Sequence, residues 1–321
     1  MARKSELLGP GQFLLEGDYM LSSNGIFFAL LQGDGNLVVY AGTGPDDVQG
    51  GPLWASGYHD KPPGTSFSLD MQADGNLVMY INPSNTPVWA TGTAGTNFAQ
   101  IQQDGEFSIF AGAPGAGGGR VWGTNVRWQR SKVEITDVNY DLARGIVANP
   151  QIVGSAEQYY KNGTSVEQHQ VFEWEITYDE ARSWSSSLGG SVGIEAEFRG
   201  GVPLVGPQGG VTVSATVTLE ETVGEESRKS ETRRGSFPLA VPPFTTVEAI
   251  TQVTVADLAV PYAATVKYIF DNGAAIRAHT DGLFAGSSTY RIETETLPVD
   301  DTRAQAALAA SLRGQAVLTD R

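Results

Sequence analysis

The sequence contains no cysteine, few histidines and no long hydrophobic run. Without cysteine it can form neither a disulfide framework nor a thiolate zinc site. No run approaches the roughly 18 apolar residues of a membrane-spanning helix, and the first residues lack the apolar segment of a signal peptide. Basic residues are also scarce, since 21 lysines and arginines face 36 aspartates and glutamates. Both halves of the chain are acidic, so we expect no nucleic-acid partner. Because no signal peptide is recognisable, we expect a soluble protein that is released by another route.

The residues that usually support catalysis are scarce too. The three histidines, His59, His169 and His279, do not stand at a metal-binding spacing. The segment 189–193, Gly-Gly-Ser-Val-Gly, matches the nucleophile-elbow pattern of hydrolases. That motif requires a strand–turn–helix context, and here it lies in a Ser/Gly run that enters a predicted strand. We therefore expect a protein that is not an enzyme and that uses no cofactor and no metal.

Glycine, in contrast, is abundant, with 39 residues among 321. Many glycines and few charges favour an all-β fold with many turns. The length fits two domains, and the pattern changes to longer alternating strands near Arg130. We predict an N-terminal domain over 1–130 and a second domain over 131–321.

A polar–apolar alternation occurs twice in the first domain. Gln32–Tyr40 reads Gln-Gly-Asp-Gly-Asn-Leu-Val-Val-Tyr, and Gln72–Tyr80 reads Gln-Ala-Asp-Gly-Asn-Leu-Val-Met-Tyr. In an extended strand alternate side chains share a face, so the Gln, Asp, Asn, Val and Tyr of each copy would lie together. Such a row pairs well with a ligand rich in hydroxyl groups and predicts sugar binding. The alternative is that Asp-Gly-Asn is only a hairpin turn.

A tryptophan follows each copy of the pattern. Trp54, Trp89 and Trp122 are separated by 35 and 33 residues, and the third follows a degenerate copy that begins at Gln102. Three repeats of this size predict three small sheets around a shared core with three-fold pseudosymmetry. We expect the tryptophans to meet near the axis, and the longer first spacing to reflect a loop inserted at Gly42–Pro52.

Over roughly Glu6–Trp128 these residues resemble the bulb-type (monocot mannose-binding) lectin family, whose signature is Q-x-D-x-N-x-V-x-Y. The resemblance implies a β-prism that binds mannose-type glycans, with Gln, Asp, Asn and Tyr bonding to the sugar and Val packing on its ring. Two weak sites on one body would gain strength by avidity. The third copy has Glu106 for Asn, Ser108 for Val and Phe110 for Tyr, so we expect it to be structural. The implied carbohydrate-binding residues are Gln32, Asp34, Asn36, Val38, Tyr40, Gln72, Asp74, Asn76, Val78 and Tyr80.

The second domain contains longer alternating segments. Val171–Tyr178 reads as a strand with one apolar face. Farther on, Ser191–Phe198 and Val211–Glu220 alternate and flank a Gly/Pro-rich link with an apolar centre. Two amphipathic strands with an apolar tip are what a membrane β-hairpin needs, and several chains must each supply one to close a barrel. The alternative is an ordinary hairpin with one buried face.

Over roughly Ser131–Pro298 the chain resembles the aerolysin-like β-pore-forming proteins, in which a Ser/Thr/Gly-rich pre-stem hairpin unfolds from the monomer. The resemblance implies an elongated β-sheet domain, a homo-oligomer in the pore state and the target-cell membrane as a partner. We place the pre-stem hairpin at about 191–220. Its expected lipid-facing residues are Val192, Ile194, Ala196, Phe198, Val202, Leu204, Val205, Val211, Val213, Ala215, Val217 and Leu219. Its expected lumen-facing residues are Glu195, Glu197, Thr212, Ser214, Thr216 and Thr218.

Two functions therefore remain open for the whole chain. The first is a glycan-guided pore-forming protein, and the second is a non-lytic mannose-binding defence or adhesion lectin with a β-rich accessory domain. Two further segments also have two interpretations. The charged stretch Glu220–Arg234 is either a solvated edge strand or a protease-accessible activation loop. The Ala-rich segment Thr302–Leu312 could form a short helix that caps the domain or a removable tail.

Overall fold

The computed structural model describes residues 2–187, 193–206 and 209–299 of the chain. Within these ranges every regular element is a β-strand apart from one short 3-10 turn at Leu142–Arg144, which confirms the all-β class. No helix in this part of the chain has the length and hydropathy of a membrane span. The predicted helix at Thr302–Leu312 lies outside the described residues.

The N-terminal domain consists of three sheets, one for each repeat. In chain order its strands are β1 (Arg3–Lys4), β2 (Leu7–Leu8), β3 (Phe13–Leu15), β4 (Tyr19–Leu21), β5 (Phe27–Leu31), β6 (Leu37–Gly44), β7 (Asp47–Val48), β8 (Trp54–Ala55), β9 (Ser66–Met71), β10 (Leu77–Asn82), β11 (Thr86–Ala90), β12 (Asn97–Ile101), β13 (Phe107–Ala111) and β14 (Arg120–Gly123).

Each sheet is built around one antiparallel hairpin and the strand that carries the repeat tryptophan. The sheet orders are β1-β4-β5-β6-β7 with β8 on β6, then β11-β10-β9-β3, then β14-β13-β12-β2. The N-terminal segment adds β4, β3 and β2 to the three sheets in turn, so a single stretch of chain joins all of them. This arrangement confirms the three-fold pseudosymmetric β-prism.

The three sheets share one apolar core on the pseudosymmetry axis. The apolar residues of the two complete repeats, such as Leu37 and Leu77, are fully buried there. The rings of Trp54, Trp89 and Trp122 meet in edge-to-face contacts, with centroids 5.7–6.1 Å apart. The predicted meeting of the tryptophans is confirmed, because strands that expose a polar face must turn their apolar face toward the other sheets.

The long first tryptophan spacing contains a hairpin rather than an unstructured loop. Strand β6 continues to Gly44 and pairs with β7. Gly42 has a φ of 135°, and a Cβ there would lie 1.9 Å from the Asp47 carbonyl oxygen, so only glycine fits. The hairpin leads to Gln49, whose Nε2 donates to the Arg277 carbonyl (2.6 Å) and whose Oε1 accepts from the Arg277 amide (2.8 Å). We call this two-bond contact between the domains the Gln49 clasp.

The second domain is dominated by long strands in one sheet. Its strands are β15 (Arg130–Tyr140), β16 (Ile146–Lys161), β17 (Gln168–Trp184), β18 (Glu195–Gly200), β19 (Pro203–Val205), β20 (Val211–Val213), β21 (Val217–Thr222), β22 (Ser227–Val241), β23 (Thr246–Phe270) and β24 (Ala275–Val299). The main order is β21-β18-β15-β23-β24-β17-β22, while β16 pairs with the other half of β23. Strands β21 and β22 therefore end the main path, and β16, which among the described strands pairs only with β23, forms a further edge.

At the end of the domain away from the N-terminal prism, the ribbon β17–β22 packs over β16 and β23. Its inward side chains, including Phe172, Ile176 and Tyr178, meet Val247 and Val253 of β23 in two small apolar clusters. The predicted alternation in Val171–Tyr178 is confirmed. Residues 227–234 lie in the edge strand β22, so the charged stretch is a solvated edge strand there and not a loop.

The two domains share an aromatic contact at their junction. The rings of Phe27 and Trp128 pack against Phe270 at the end of β23, with centroids 5.8 and 5.2 Å from the Phe270 ring. Arg130, the predicted boundary, is the first residue of β15. Because apolar side chains of both domains belong to one continuous core, the junction is packed rather than a free linker.

Candidate functional sites

The repeated motif forms a tight turn at the tip of a hairpin. The Gly35 amide donates to the Gln32 carbonyl (3.0 Å), and Gln32 in turn donates its amide to the Asn36 carbonyl (2.8 Å). Gly35 and Gly75 have φ values of 90° and 85°, which only glycine adopts without strain. The expectation of one continuous strand was wrong, because β6 and β10 begin only after the motif's Asn. Asp-Gly-Asn does form a hairpin turn, as the alternative interpretation has it.

The turn nevertheless brings the polar residues of each copy together. In the first copy Gln32 Nε2 donates to the Tyr40 hydroxyl (2.9 Å), and Asp34 Oδ1 accepts from the Asn36 amide (2.9 Å). The second copy repeats both contacts, from Gln72 to Tyr80 (2.5 Å) and from the amide of Asn76 to Asp74 (3.0 Å). These five-residue groups are the first-copy site and the second-copy site.

Each Asn side chain is oriented by a hydroxyl that the sequence analysis did not single out. Asn36 Oδ1 accepts from Ser56 Oγ (2.9 Å) and from the Gly57 amide (3.1 Å). Asn76 Oδ1 accepts from Thr91 Oγ1 (3.1 Å) and the Gly92 amide (2.9 Å). A backbone amide can only donate, so the oxygen must face it and the Nδ2 group must point the other way. These hydroxyl residues could have been identified in the sequence, because a Ser or Thr stands two positions after each repeat tryptophan.

The arrangement leaves a mixed set of hydrogen-bonding atoms open in the first-copy site. Within the described residues, Asp34 Oδ2, Gln32 Oε1 and Asn36 Nδ2 have no protein partner, and the Tyr40 hydroxyl keeps its proton to donate. Sugar hydroxyls both donate and accept, so this set can bond to them. The two valines were expected to pack on the sugar ring. Val38 and Val78 are only 2% and 4% exposed, so they offer it little surface.

The third copy has the same turn with a different charge. Glu106, 1% exposed, replaces the Asn, and its carboxylate contacts Arg120 and accepts from Arg127 Nε (2.9 Å). Gln102 Nε2 donates to this carboxylate (3.2 Å) instead of to a phenol. Phe110 stacks on Phe98 as Tyr40 stacks on Phe28. This copy therefore lacks the outward Asn donor and the hydroxyl of the other two.

The predicted pre-stem segment forms an antiparallel hairpin at one edge of the long sheet. Strand β18 pairs with β21 from Glu195↔Thr222 to Gly200↔Val217, and β19 pairs with β20 nearer the tip. Strand β18 joins the sheet through a short parallel contact with β15, at Glu134↔Glu197 and Ile135↔Phe198. The hairpin thus has one free edge and a short attachment.

The two faces of the hairpin base differ as the alternation predicts. Ala196 and Phe198 are 3% and 1% exposed, and the Phe198 ring packs on Trp184 at 4.6 Å between centroids. Leu219 stands opposite Phe198 on the same face, whereas Glu195 and Glu197 lie on the other face. The inner face also holds one carboxylate, Glu221, which pairs with Arg182 Nε of β17 (2.8 Å).

The tip differs from the prediction. Val211–Glu220 was expected to be one strand, but it divides into β20 and β21, so Ala215 and Thr216 lie in the break. Ser214 Oγ accepts from the Val202 amide (2.9 Å) and stabilises that break. Leu204 and Val205 are neighbours in β19, so their side chains point to opposite faces of the strand. The expectation that both belong to one lipid-facing side does not fit this strand. Val192 lies outside the described residues, as does most of the segment 189–193.

A network of charges covers the outer face where β18 meets β15. Lys132 Nζ contacts Glu134 (2.9 Å) and Glu197 (2.8 Å), and Lys267 contacts Glu134 (3.4 Å). Arg199 contacts both carboxylates as well. The hydrogen bonds from Lys132 lower the pKa of both Glu134 and Glu197. We call these five residues the hairpin latch.

The chain has a detectable relative among characterised proteins, although no protein-family model matches it. The B-type lectin plumieribetin from Scorpaena plumieri is 42% identical to it over 87 residues, which are 27% of this chain. The chain spans 66% of the length of that relative.

Two solved structures have similarity to the chain. A monomeric monocot mannose-binding lectin from Gastrodia elata covers 38% of this chain and 96% of its own length, with 27% identity and a TM-score of 0.30. The Bacillus thuringiensis toxin parasporin-2 covers 51% of this chain and 73% of its own length, with 16% identity and a TM-score of 0.29. The chain is an all-β protein that resembles the bulb-type lectins over part of its length.

Proposed function

We propose that this chain is a glycan-guided pore-forming protein. Its prism binds mannose-type glycans on a target cell through the first-copy and second-copy sites. Its second domain then assembles into a homo-oligomer and inserts the pre-stem hairpin as a transmembrane β-barrel. The observation that carries the proposal is the position of the hairpin, at a sheet edge with a short attachment and only one packed face.

The glycan-binding half rests on the two matched polar sites. Each combines a carboxylate, two amides and a phenol, and the same internal hydrogen bonds hold both in place. Because the internal bonds use only part of each group, the remaining donors and acceptors are available to sugar hydroxyls. A single site of this exposed kind binds weakly, and two sites on a rigid prism raise the effective affinity for a dense glycan surface.

The pore-forming part of the proposal depends on which contacts the hairpin loses when it leaves the sheet and which it gains in a ring. Leaving the sheet breaks the short β15 contact, the Phe198–Trp184 packing and the latch. In a ring, neighbouring chains satisfy the backbone groups of both hairpin edges, which a bilayer requires. Glu195 and Glu197 would then face the lumen. We expect the pore to prefer cations, and reversal potentials across a planar bilayer measure this.

A reversible tether of the hairpin tests the mechanism. The variant Glu134→Cys/Glu197→Cys places two cysteines at paired positions of β15 and β18, in a chain that has no others. We expect the oxidised variant to release no dye from mannose-bearing vesicles, while glycan binding stays at the level of the unmodified protein. Reduction of the disulfide should restore release, and this internal comparison removes the effect of the lost charges.

A second disulfide controls for rigidity in general. Thr177→Cys/Thr232→Cys joins β17 to β22, where the two hydroxyls lie 3.0 Å apart and the hairpin is not involved. This variant should release dye in both redox states. Lysis by the oxidised Glu134/Glu197 variant would refute hairpin insertion.

The second candidate is a non-lytic glycan-binding protein whose second domain is an adhesion or defence module. The burial of Phe198 against Trp184 and the Arg182–Glu221 ion pair favour it, since both hold the hairpin in the soluble monomer. Under this candidate the protein binds mannose-bearing vesicles, no dye is released, and electron microscopy of those vesicles shows no rings.

A further inference from the structure

A polar cleft of about 780 Å³ lies between the two domains, beside the Gln49 clasp. The prism contributes Arg3, Ser23 and Asp47 to its walls, and the second domain contributes Ser187, Arg277 and His279. The first-copy and second-copy sites do not line it. Its volume lies in the range of sites that hold small molecules, which is roughly 300–1,000 Å³.

The cleft concentrates positive charge in a strongly acidic chain. The net charge of the protein is −15 with histidine counted as neutral, yet two arginines, Arg3 and Arg277, line this one space. Arg3 and Arg277 make no ion pair with any carboxylate of the described residues. Unpaired arginines that share a concave wall are a usual way to receive an oxyanion, because the guanidinium presents paired donors in a planar fork.

The one carboxylate among the described lining residues is already engaged. Asp47 Oδ2 accepts from Thr43 Oγ1 (2.7 Å) and from Gln49 Nε2 (3.0 Å) within the hairpin that supports the clasp. The Asp47 carboxylate is therefore bonded to residues of the prism and forms no ion pair with Arg3 or Arg277. Two guanidinium groups against one occupied carboxylate leave the cleft with a positive balance.

We propose that this cleft binds an anionic saccharide, a sugar that carries a sulfate or a carboxylate group. Arg3 and Arg277 receive the oxyanion, and the hydroxyl groups of Ser23 and Ser187 pair with the hydroxyls of the ring. Because each domain supplies one arginine, the bound sugar bridges them and strengthens the Gln49 clasp. The cleft is separate from the two proposed mannose sites, so this proposal can be tested independently of mannose binding.

Titration of the full chain with defined sugars tests the proposal. The probes are a sulfated heparin-derived disaccharide and 3′-sialyllactose, each added in the presence of saturating methyl α-mannoside. We expect saturable binding of at least one probe that the mannoside does not displace. Arg277→Gln and Arg3→Gln should each weaken it about tenfold, as the loss of one charge-assisted hydrogen bond implies.

A matched variant separates the cleft from general electrostatics. Arg291→Gln removes the same charge from strand β24, where Arg291 pairs with Glu293 (2.9 Å) outside the cleft. It should leave the affinity for the anionic sugar unchanged. Retained mannoside binding and an unchanged Tm confirm that each variant is folded. If Arg277→Gln does not fold, Arg3→Gln alone decides.

Three outcomes would overturn the proposal. The first is no saturable binding of either anionic probe. The second is binding that neither cleft substitution weakens, or that Arg291→Gln weakens equally. The third is inorganic sulfate binding as tightly as both sugars, since the cleft would then recognise an oxyanion without the saccharide. None of these results bears on mannose binding or on dye release, which are measured separately.

Discussion

At the scale of single residues, a hydroxyl group two positions after each repeat tryptophan connects the core to the surface site. Ser56 Oγ accepts from the Leu37 amide (3.1 Å) and donates to Asn36 Oδ1. Thr91 makes the same two bonds in the second copy. One hydroxyl thus satisfies the first amide of the strand and turns the Asn donor outward. In the proposed sites Ser56 and Thr91 are positioning residues, because each contacts the Asn side chain and would act on a sugar only through it.

This role predicts a graded effect of substitution at Ser56. In an Asn76→Ala background, where only the first-copy site binds, Ser56→Ala should weaken methyl α-mannoside binding by roughly two- to tenfold, the value of one net hydrogen bond. The Gly57 amide still holds the Asn oxygen, so the loss is partial. Calorimetric titration measures the affinity. Ser56→Thr should restore it, because Thr91 performs the same role, and a Thr variant as weak as the Ala variant would contradict the assignment.

Asn162 shows how burial changes the meaning of a motif. Asn162-Gly163-Thr164 matches a glycosylation sequon, but the Asn side chain is only 1% exposed. Its Nδ2 donates to the carbonyls of Val166 (2.7 Å) and Val241 (2.9 Å), and its Oδ1 accepts from the Thr164 amide (2.9 Å). In the folded protein this nitrogen is a structural donor that joins the β16–β17 connection to the end of β22, and it offers no site to a sugar.

Replacement of this residue should therefore affect stability. Asn162→Ala removes the donor to the carbonyl of the buried Val241, and we expect it to lower the free energy of unfolding by about 1–3 kcal/mol. Urea denaturation measures the change. The exposed Asn272 accepts one turn hydrogen bond (2.9 Å) and provides the control, since Asn272→Ala should cost about 0.5 kcal/mol or less. Equal losses in the two variants would show that burial of Asn162 contributes nothing.

At the scale of the element, contacts on both faces hold the predicted pre-stem hairpin against the sheet. Its inner face packs through Phe198, and its outer face is tied to β15 by the hairpin latch. Exposed ion pairs contribute little to stability, so the apolar contact provides most of the attachment. The latch instead makes that attachment sensitive to pH, because its carboxylates titrate.

The direction of this pH dependence follows from the pKa shifts. Hydrogen bonds from Lys132 lower the pKa of Glu134 and Glu197 in the folded chain below the ordinary 4.5. A carboxyl group with a lowered pKa stabilises the fold above its unfolded pKa, and this contribution is lost as the pH falls through the folded value. We therefore expect β18 to lose amide-exchange protection below about pH 4.5, relative to the ribbon β17–β22 as an internal reference.

The Lys132→Gln variant is the control for the latch. It removes the shared cation, so β18 should exchange faster at pH 7, and its protection should depend less on pH. Lys267 and Arg199 remain near Glu134 and keep part of the effect. A constant ratio of β18 to ribbon protection down to pH 3, in the unmodified protein, would rule out a role for the latch.

At the scale of the whole molecule, an aromatic junction and a polar clasp fix the prism on the long sheet. Phe270 is 3% exposed and lies among Phe27 and Trp128, while Gln49 bonds to the backbone of Arg277. A prism held in this way presents the two proposed glycan sites in a constant orientation relative to the hairpin. Under the proposed function, glycan binding would then orient the second domain on the target surface.

This coupling predicts how the molecule unfolds. Phe270→Ala removes the ring that both domains contact, and we expect it to cost about 3–5 kcal/mol. Calorimetry should show one transition in the unmodified protein and two in the variant, because the domains then unfold separately. Phe237, 37% exposed in the edge strand β22, provides the control, and Phe237→Ala should keep a single transition. One transition in both variants would mean that Phe270 does not couple the domains.

The amino-acid pattern alone was sufficient for the three repeats, the meeting of the tryptophans, the all-β class and the two faces of the hairpin base. All of these follow from local periodicity, because an alternating strand has one face that must leave water wherever it is placed. The degenerate third copy was recognisable for the same reason, since Glu106 and Phe110 are visible substitutions in a fixed pattern.

Contacts between distant segments decided the rest. Ser56 and Asn36 are 20 residues apart, and Glu134 and Glu197 are paired by a parallel contact that no local pattern encodes. The Gln49 clasp and the cleft exist only because a hairpin of the first repeat reaches strand β24, 228 residues later. Periodicity determines which face of a segment is apolar, but the partner of that face depends on how all segments pack at once. The orientation of each site, the attachment of the hairpin and the space between the domains are therefore properties of the folded chain.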